Sequence, residues 1–397
     1  MRPLEGVVKN YAWGSPTEIP EILGSAPDGN PVAEYWLGTH PAGPAHMGNS
    51  TLDRWLTANP DLLGESIATR YRGKLPYLLK ILAADSPLSL QAHPSAEQAR
   101  KGFAAEQSRG IALDDPKRVF KDDWPKPELL VALKPFRVLA GFRNPQQTVR
   151  LFDSLGSEVP LERLLGPLRH RQPMPALAEV FLDCLRPDDD NVSMLNGVLA
   201  AAVRRSGDGG EVGAFARLIV QLDEAIQGNP SILAALLLNP VTLDPGQALH
   251  VPAGVLHAYL NGAGIEIMAS SDNVVRGGLT PKHIDIQALL EIVDFAPRPP
   301  EIMAPHPVGT RLARYDTNDD QFALWRIEPG QQATNLLPGS GTGRILLVIN
   351  GTAELIRTDG TVEGQLAHGQ AAFIAAEEQL SLRGDCLAFL AGPGTVR

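Results

Sequence analysis

Residues 246–257 read GQALHVPAGVLH and residues 369–380 read GQAAFIAAEEQL, two stretches related by a constant offset of 123. Gly246 matches Gly369, Gln247 matches Gln370, Val251 matches Ile374 and His257 matches Leu380. Strand-like runs surround both: VTLDPGQALHVPAGVLHAYL contains the first, and RILLVING, TAELIR and AAFIAA surround the second. A true repeat makes the C-terminal unit a second copy of one β-sandwich, with leucine in place of a polar ligand, and leaves the chemistry to the first copy. The other reading is a chance recurrence of strand-forming residues.

Working outward, residues 1–144 hold short strand patterns such as AEYWLGTH at 33–40 and LLVALKPFRVLAGF at 129–142, broken by Gly, Pro and Asn. From 145 to 235 the period changes: PQQTVRLFDSL, LERLLGPLRH, MLNGVLAAAVRR and GAFARLIVQLDEAI place apolar residues three and four apart, which predicts a helical insert. Strand patterns return after Pro240, IQALLEIVDF at 286–295 predicts a helix, and PRPPEIMAPHP at 297–307 predicts a linker. The chain is therefore expected to be mainly β with an α insertion. Its first β domain spans 1–144 and 236–298, the helical insert 145–235, and a second β domain, without metal ligands, 299–397.

A chain of 397 residues exceeds one hydrophobic core, in keeping with several domains. Apolar runs such as ILAALLL at 232–238 are far shorter than the ~20 residues a membrane span needs, and the N-terminus lacks the apolar core of a secretory signal, so a cytoplasmic protein away from membranes is expected. The net charge of −10 disfavours nucleic acid, and an anionic substrate needs a local basic cluster. Cys184 and Cys386 stand far apart in apolar settings, so any metal must use nitrogen and oxygen ligands.

LSLQAHPS at 88–95 supplies such ligands. In an extended chain Ser89, Gln91 and His93 share one face, and a buried polar stripe needs a partner opposite it. DDWPKPELLVAL offers Lys126 and Glu128 two residues apart, and HVPAGVLHAYLNG offers His257 and Tyr259 in the same relation. Gln91, His93, Glu128 and His257 make a candidate N/O set for a divalent metal such as zinc. Each residue alone is more often an ordinary hydrogen-bonded or surface group, and no spacing among them is specific by itself.

The stretch GIEIMASSDNVVRGGLTPKHID at 264–285 gathers Glu266, Asp272, Asn273, Arg276, Lys282 and His283 around a Gly-Gly turn; Arg and Lys there suit a phosphate, and a solvated polar loop is the bland alternative. PGSGTGR at 338–344 lacks a P-loop ending and predicts a hairpin loop. DDDN at 188–191 has Leu199 where a calcium loop needs glutamate, so it predicts a helix cap near Val192.

Together, YAWGS at 11–15, EYWLGTHPAGPA at 34–45, LPYLLKILAADSPLSLQAHPS at 75–95, KPELLVAL at 126–133, VPAGVLHAYLNG at 251–262 and IEIMASSDNVVRGGLTPKHID at 265–285 closely resemble type I mannose-6-phosphate isomerases, in family order across roughly residues 1–300. The resemblance implies a cupin-type jelly roll with an inserted helical domain and a second cupin-like β domain. It implies a metal-dependent aldose-ketose isomerase converting mannose 6-phosphate and fructose 6-phosphate into one another, with one zinc on Gln91, His93, Glu128 and His257. Arg276, Glu266, Lys126 and Lys282 become catalytic candidates, and Ser89, Tyr259, Arg276 and Lys282 candidates for substrate contact, in a chain acting as a monomer on a phosphorylated hexose. One departure stands out: the family often carries Asn-His before KPE, and this chain has Trp124-Pro125. Two rivals remain at this point, a cupin non-haem iron oxygenase using His93, Glu128 and His257, and a sugar-phosphate binding module without catalysis.

Overall fold

The computed structural model describes residues 1–394. Its organising element is the strand His257–Ala269. The first part pairs antiparallel with Phe136–Phe142, setting His257 against Ala140 and Tyr259 against Val138. The second part pairs with Tyr77–Ala84 and Glu128–Ala132, setting Glu266 against Lys80 and Met268 against Glu128. The change of partner falls at Gly262, whose φ is +137° and where an added Cβ would come 2.7 Å from the Phe136 ring. Only glycine serves there, and the bend carries one strand from the first sheet of the sandwich into the second.

The larger sheet runs Glu301–Met303, Ala248–Val251, Glu128–Ala132, His257–Ala269, Tyr77–Ala84, Glu34–Gly38, Val7–Lys9, all antiparallel. Leu79, Ile81, Leu129, Val131, Ile265 and Ile267 on its outer face pack with Leu324, Ile345, Leu347, Phe373 and Phe389 of the C-terminal strands. Both faces of Tyr77–Ala84 are therefore covered, which is why YLLKILAA shows no polar alternation. Between Phe136–Phe142 and Leu238–Leu243 run six helices from Pro145 to Ala235, closing a separate apolar cluster against the sandwich. Asp188 caps the helix Asp189–Arg205 by accepting from the Asn191 amide at 3.0 Å, as DDDN predicts, and the helix expected over 286–295 closes earlier, at Ile292.

The short sequence echo is a structural repeat. Ala371–Ile374 lies 123 residues beyond Ala248–Val251, and the glycines two positions before them share positive φ values of +88° and +78°. Gln247 Oε1 accepts from the Asp244 amide at 2.8 Å and Gln370 Oε1 from the Ala367 amide at 2.9 Å, so the same turn is built twice. Val251 pairs with Glu128 and Ile374 with Arg344, which puts Arg344 at the register of Glu128. That counterpart is shifted by 216 residues instead of 123, and the difference of 93 residues is filled in the first copy by the helices.

Arg344 is fully buried. It donates to the carbonyls of Leu337, Pro338, Ala375 and Glu378. At the offset of 123, Glu378 is the counterpart of Val255. Leu380 opens its strand as His257 does, buried among Leu382, Leu366 and Ile374. Leu380→Ala is expected to cost about 2–5 kcal/mol of stability and to leave metal content unchanged. A denaturant melt with metal analysis checks this, and selective loss of metal would implicate the second copy in the chemistry.

The limits drawn from sequence are crossed at two places. Arg2–Leu4 pairs with Ala371–Phe373 in the C-terminal sheet, and Glu301–Met303, within the expected linker, pairs with Ala248–His250 in the first. Edge strands from each half thus close the sheet of the other, an exchange that local pattern does not register. Among the described residues no helix is long and apolar enough to cross a membrane.

Candidate active site

Three strand ends meet at one mouth of the first sandwich. His93 follows the strand Leu90–Ala92, Glu128 opens Glu128–Ala132 and His257 opens His257–Ala269. Their ligand atoms lie within 4.8 Å of one another, and all three residues are buried. His93 Nε2 stands 3.2 Å from Glu128 Oε1, and His257 Nε2 stands 3.3 Å from Oε2.

The opposite ring nitrogens decide what this means. His93 Nδ1 is 2.9 Å from the Asn273 carbonyl and His257 Nδ1 is 3.1 Å from the Val255 carbonyl. A carbonyl only accepts, so each Nδ1 carries a proton and each Nε2 is left facing the carboxylate. Burial pushes the His93 imidazole down to about 4, keeping that ring neutral near pH 7. His93 Nε2 has no hydrogen-bond partner among the described residues. A buried carboxylate flanked by two ring nitrogens, with the His93 Nε2 lone pair unpartnered among the described residues, is a setting that a cation would satisfy. His₂Glu with carbonyl-anchored rings is a donor set that could hold one metal ion such as zinc.

Gln91 sits between His257 and Arg276 in the strand register. Its amide nitrogen donates to Ser89 Oγ at 3.3 Å, which directs the amide oxygen elsewhere. Beside the cluster opens a cavity of about 420 Å³ whose wall includes Ser89, Gln91, Lys126, Arg276 and Lys282. Lys126 Nζ is 2.9 Å from Glu128 Oε1. Arg276 is half-buried with no carboxylate partner among the described residues, and burial lowers its pKa.

Two candidates stand elsewhere. Tyr259 does not line the cavity: one place further along the face of His257, it packs edge-on against Phe136 at 5.6 Å with its hydroxyl buried. Glu266 is also off the wall, covered by Lys80.

Lys80 went unnamed in the sequence reading. Its Nζ lies 2.8 Å from Glu266 Oε2 and 3.4 Å from Glu34 Oε1, while Trp36 Nε1 donates to Glu34 Oε2 at 2.9 Å. Burial opposes the ammonium charge, but Glu266 and Glu34 outweigh it and hold the pKa above its ordinary range. The signal was available: a single lysine within the apolar run YLLKILAA must have buried counter-charges. Lys80→Ala strands two buried carboxylates and is expected to cost about 3–5 kcal/mol, read from the denaturant midpoint of the metal-loaded protein; an unchanged midpoint would deny the cluster its structural weight.

Residues 1–145 match the family model for the catalytic domain of type I phosphomannose isomerase. The mannose-6-phosphate isomerase of Escherichia coli (strain K12) is 35% identical over 387 residues, 95% of each chain. The chain belongs to the type I phosphomannose isomerase family. The mannose-6-phosphate isomerase of Homo sapiens is 32% identical over 410 residues, 96% of this chain and 95% of the human one. A crystal structure of mannose 6-phosphate isomerase bound with zinc and yttrium superposes with a TM-score of 0.86 at 32% identity, covering 99% of each chain. A zinc-bound holo form gives 0.87 at 31% identity with the same coverage.

Against this family, the Trp124-Pro125 departure has a structural setting. Asn273 Nδ2 donates to the carbonyls of Asp122 and Trp124 at 2.9 and 2.8 Å, its Oδ1 accepts from the Lys121 amide at 2.7 Å, and its own carbonyl holds His93. One asparagine thus ties the Trp124 loop to a metal-facing histidine. Trp124 packs edge-on against Tyr71 at 5.5 Å and lines a neighbouring cavity of about 480 Å³. His40 and Asp272, paired at 3.2 Å, stand in the wall between that cavity and the first.

Proposed function

We infer that this protein is a zinc-dependent mannose-6-phosphate isomerase that interconverts mannose 6-phosphate and fructose 6-phosphate through a cis-enediol. The observation that carries the reading is the pair of imidazole Nε2 atoms turned onto one buried carboxylate beside a cavity walled by Lys126, Arg276 and Lys282. His93, Glu128 and His257 would hold the zinc, with the amide oxygen of Gln91 as the fourth ligand. When bound, zinc supplies a Lewis acid for the oxygens at C1 and C2.

The chain's own groups do the rest. Lys126 is on the wall and in contact with Glu128, placed to carry the proton between C2 and C1. Glu266, behind Lys80, acts by holding that ammonium in place. Arg276 offers an unpaired planar fork to the oxygen on which negative charge develops. Lys282, on the exposed side of the same wall, and Ser89 suit the phosphate and sugar hydroxyls. We take the chain to act as a monomer, drawing its substrate from a cytoplasmic sugar-phosphate pool.

In this reading the sandwich is a cupin-type jelly roll over 1–144 and 236–298, with a helical domain inserted at 145–235 and a second, ligand-free cupin-like unit over 299–397. A coupled assay on chelated and zinc-reconstituted protein tests activity and metal dependence together. Turnover is expected to vanish on chelation and return with about one zinc per chain. Full turnover in stripped protein refutes the reading. Oxygen uptake on addition of iron would favour the oxygenase, against which the cationic wall argues.

A further inference from the structure

A cavity of about 580 Å³ lies on the reverse of the strand that begins at His257, between the sheet and the helix Gly210–Ala225. Three arginines meet there: Arg137 from the strand Phe136–Phe142, Arg143 just after it, and Arg217 from the helix. Arg137 is half-buried and has neither a hydrogen-bond acceptor nor a carboxylate among the described residues. Arg143, 2% exposed, donates only to the carbonyls of Leu236 and Leu238. Arg217 donates to the carbonyls of Ser206 and Asp208. The one carboxylate on this wall is Glu211, an exposed side chain that accepts from Gln147 Nε2 at 2.9 Å.

Arg143 is buried, Arg137 half-buried and Arg217 at the exposed rim, and the one carboxylate on the wall is exposed too, so the positive charge facing the cavity is only partly compensated, a setting that favours a counter-ion. Burial, and after it the charge of Arg217, lowers the pKa of Arg137; burial pushes Arg143 down to about 10. Both shifts are what a bound anion would relieve. The cavity is larger than a bare phosphate needs, and Leu151, Phe215, Leu218 and Leu260 give it an apolar side for the remainder of a small molecule.

We propose that this cavity binds the phosphate group of a small phosphorylated metabolite through Arg137, Arg143 and Arg217, separately from the zinc cavity. Arg137 pairs with Asn261 and Ala140 with His257, so the site stands behind the catalytic strand, on the face occupied by Ala258 and Leu260. A phosphate bridging Arg137 and Arg217 ties the helix Gly210–Ala225 to that strand.

Equilibrium dialysis of zinc-loaded full-length protein with radiolabelled inorganic phosphate tests it. Wild type is expected to bind two phosphates per chain, one in the isomerase cavity and one here. Arg137→Ser is expected to lose one of them, with affinity at the second site falling about tenfold or more, the value of a charged hydrogen-bonding group. Arg137→Lys should keep part of it, since lysine supplies charge without the fork. Arg217→Ser, on the exposed helix face, should weaken the same event. Isomerisation by these variants, and its competitive inhibition by phosphate, are expected to match wild type. Equal phosphate stoichiometry in wild type and Arg137→Ser, or a single event in wild type that phosphate inhibition accounts for, overturns the proposal. Because the readout is bound phosphate, failure of the isomerase reading would register separately, in the turnover assay.

Discussion

His257→Ala is expected to release the zinc and lower turnover by at least about 10³-fold, since Lewis-acid stabilisation of developing charge is worth several kcal/mol and each 1.36 kcal/mol is tenfold. His257 supplies one of two ring nitrogens facing Glu128, and its own ring is anchored by the Val255 carbonyl. Removing it leaves His93, Glu128 and the weak amide donor of Gln91, too little to hold the metal against a chelating buffer. Metal content after dialysis and the coupled assay are read on the same sample. A variant that keeps both zinc and full rate would dismiss His257 as a ligand. Circular dichroism should stay native, because the ring fills a polar mouth and not the apolar core.

Arg276→Ala is the converse experiment: zinc retained at one per chain, turnover down on the order of 10²–10³-fold, as when one aimed donor to a developing oxyanion is removed. Arg276 opposes Gln91 across the strand pair and has no hydrogen bond to His93 or Glu128 among the described residues, so its loss should leave that cluster intact. Its guanidinium has no competing carboxylate, which leaves the fork free for substrate. The loss should fall mainly on kcat, with KM moving less, because the interaction strengthens as charge builds. Arg276→Lys should recover part of the rate by charge alone. Native kinetics in the alanine variant would remove Arg276 from the reaction.

Much of this site was legible from residue order because its parts sit at strand starts. Alternation put Gln91 with His93 and Lys126 with Glu128 on common faces, and His257 was marked by the leucine that stands in its place one repeat later. The duplication itself rested on a Gly-Gln turn whose side-chain hydrogen bond recurs in both copies. Alternation kept Tyr259 beside His257, with ring centroids 5.8 Å apart, but it does not say how deep in the sandwich the second ring lies. Lys80 and Glu34 escaped notice for a different reason. Each lies inside a run whose apolar neighbours dominate the pattern, and their meaning comes from strands that are adjacent only after folding. The exchange of edge strands between the two halves is likewise a property of the assembled sheets.

The Arg344 side chain of the second copy gives the duplication a physical asymmetry. In the first copy the carbonyl of Val255 orients a histidine toward a removable ion; in the second, its counterpart on Glu378 accepts directly from a guanidinium that is part of the chain. A chelator can therefore empty one mouth and has nothing to extract from the other. The C-terminal half carries its cation within the chain at that register, and packs its apolar wall against Leu79, Ile81 and Ile267.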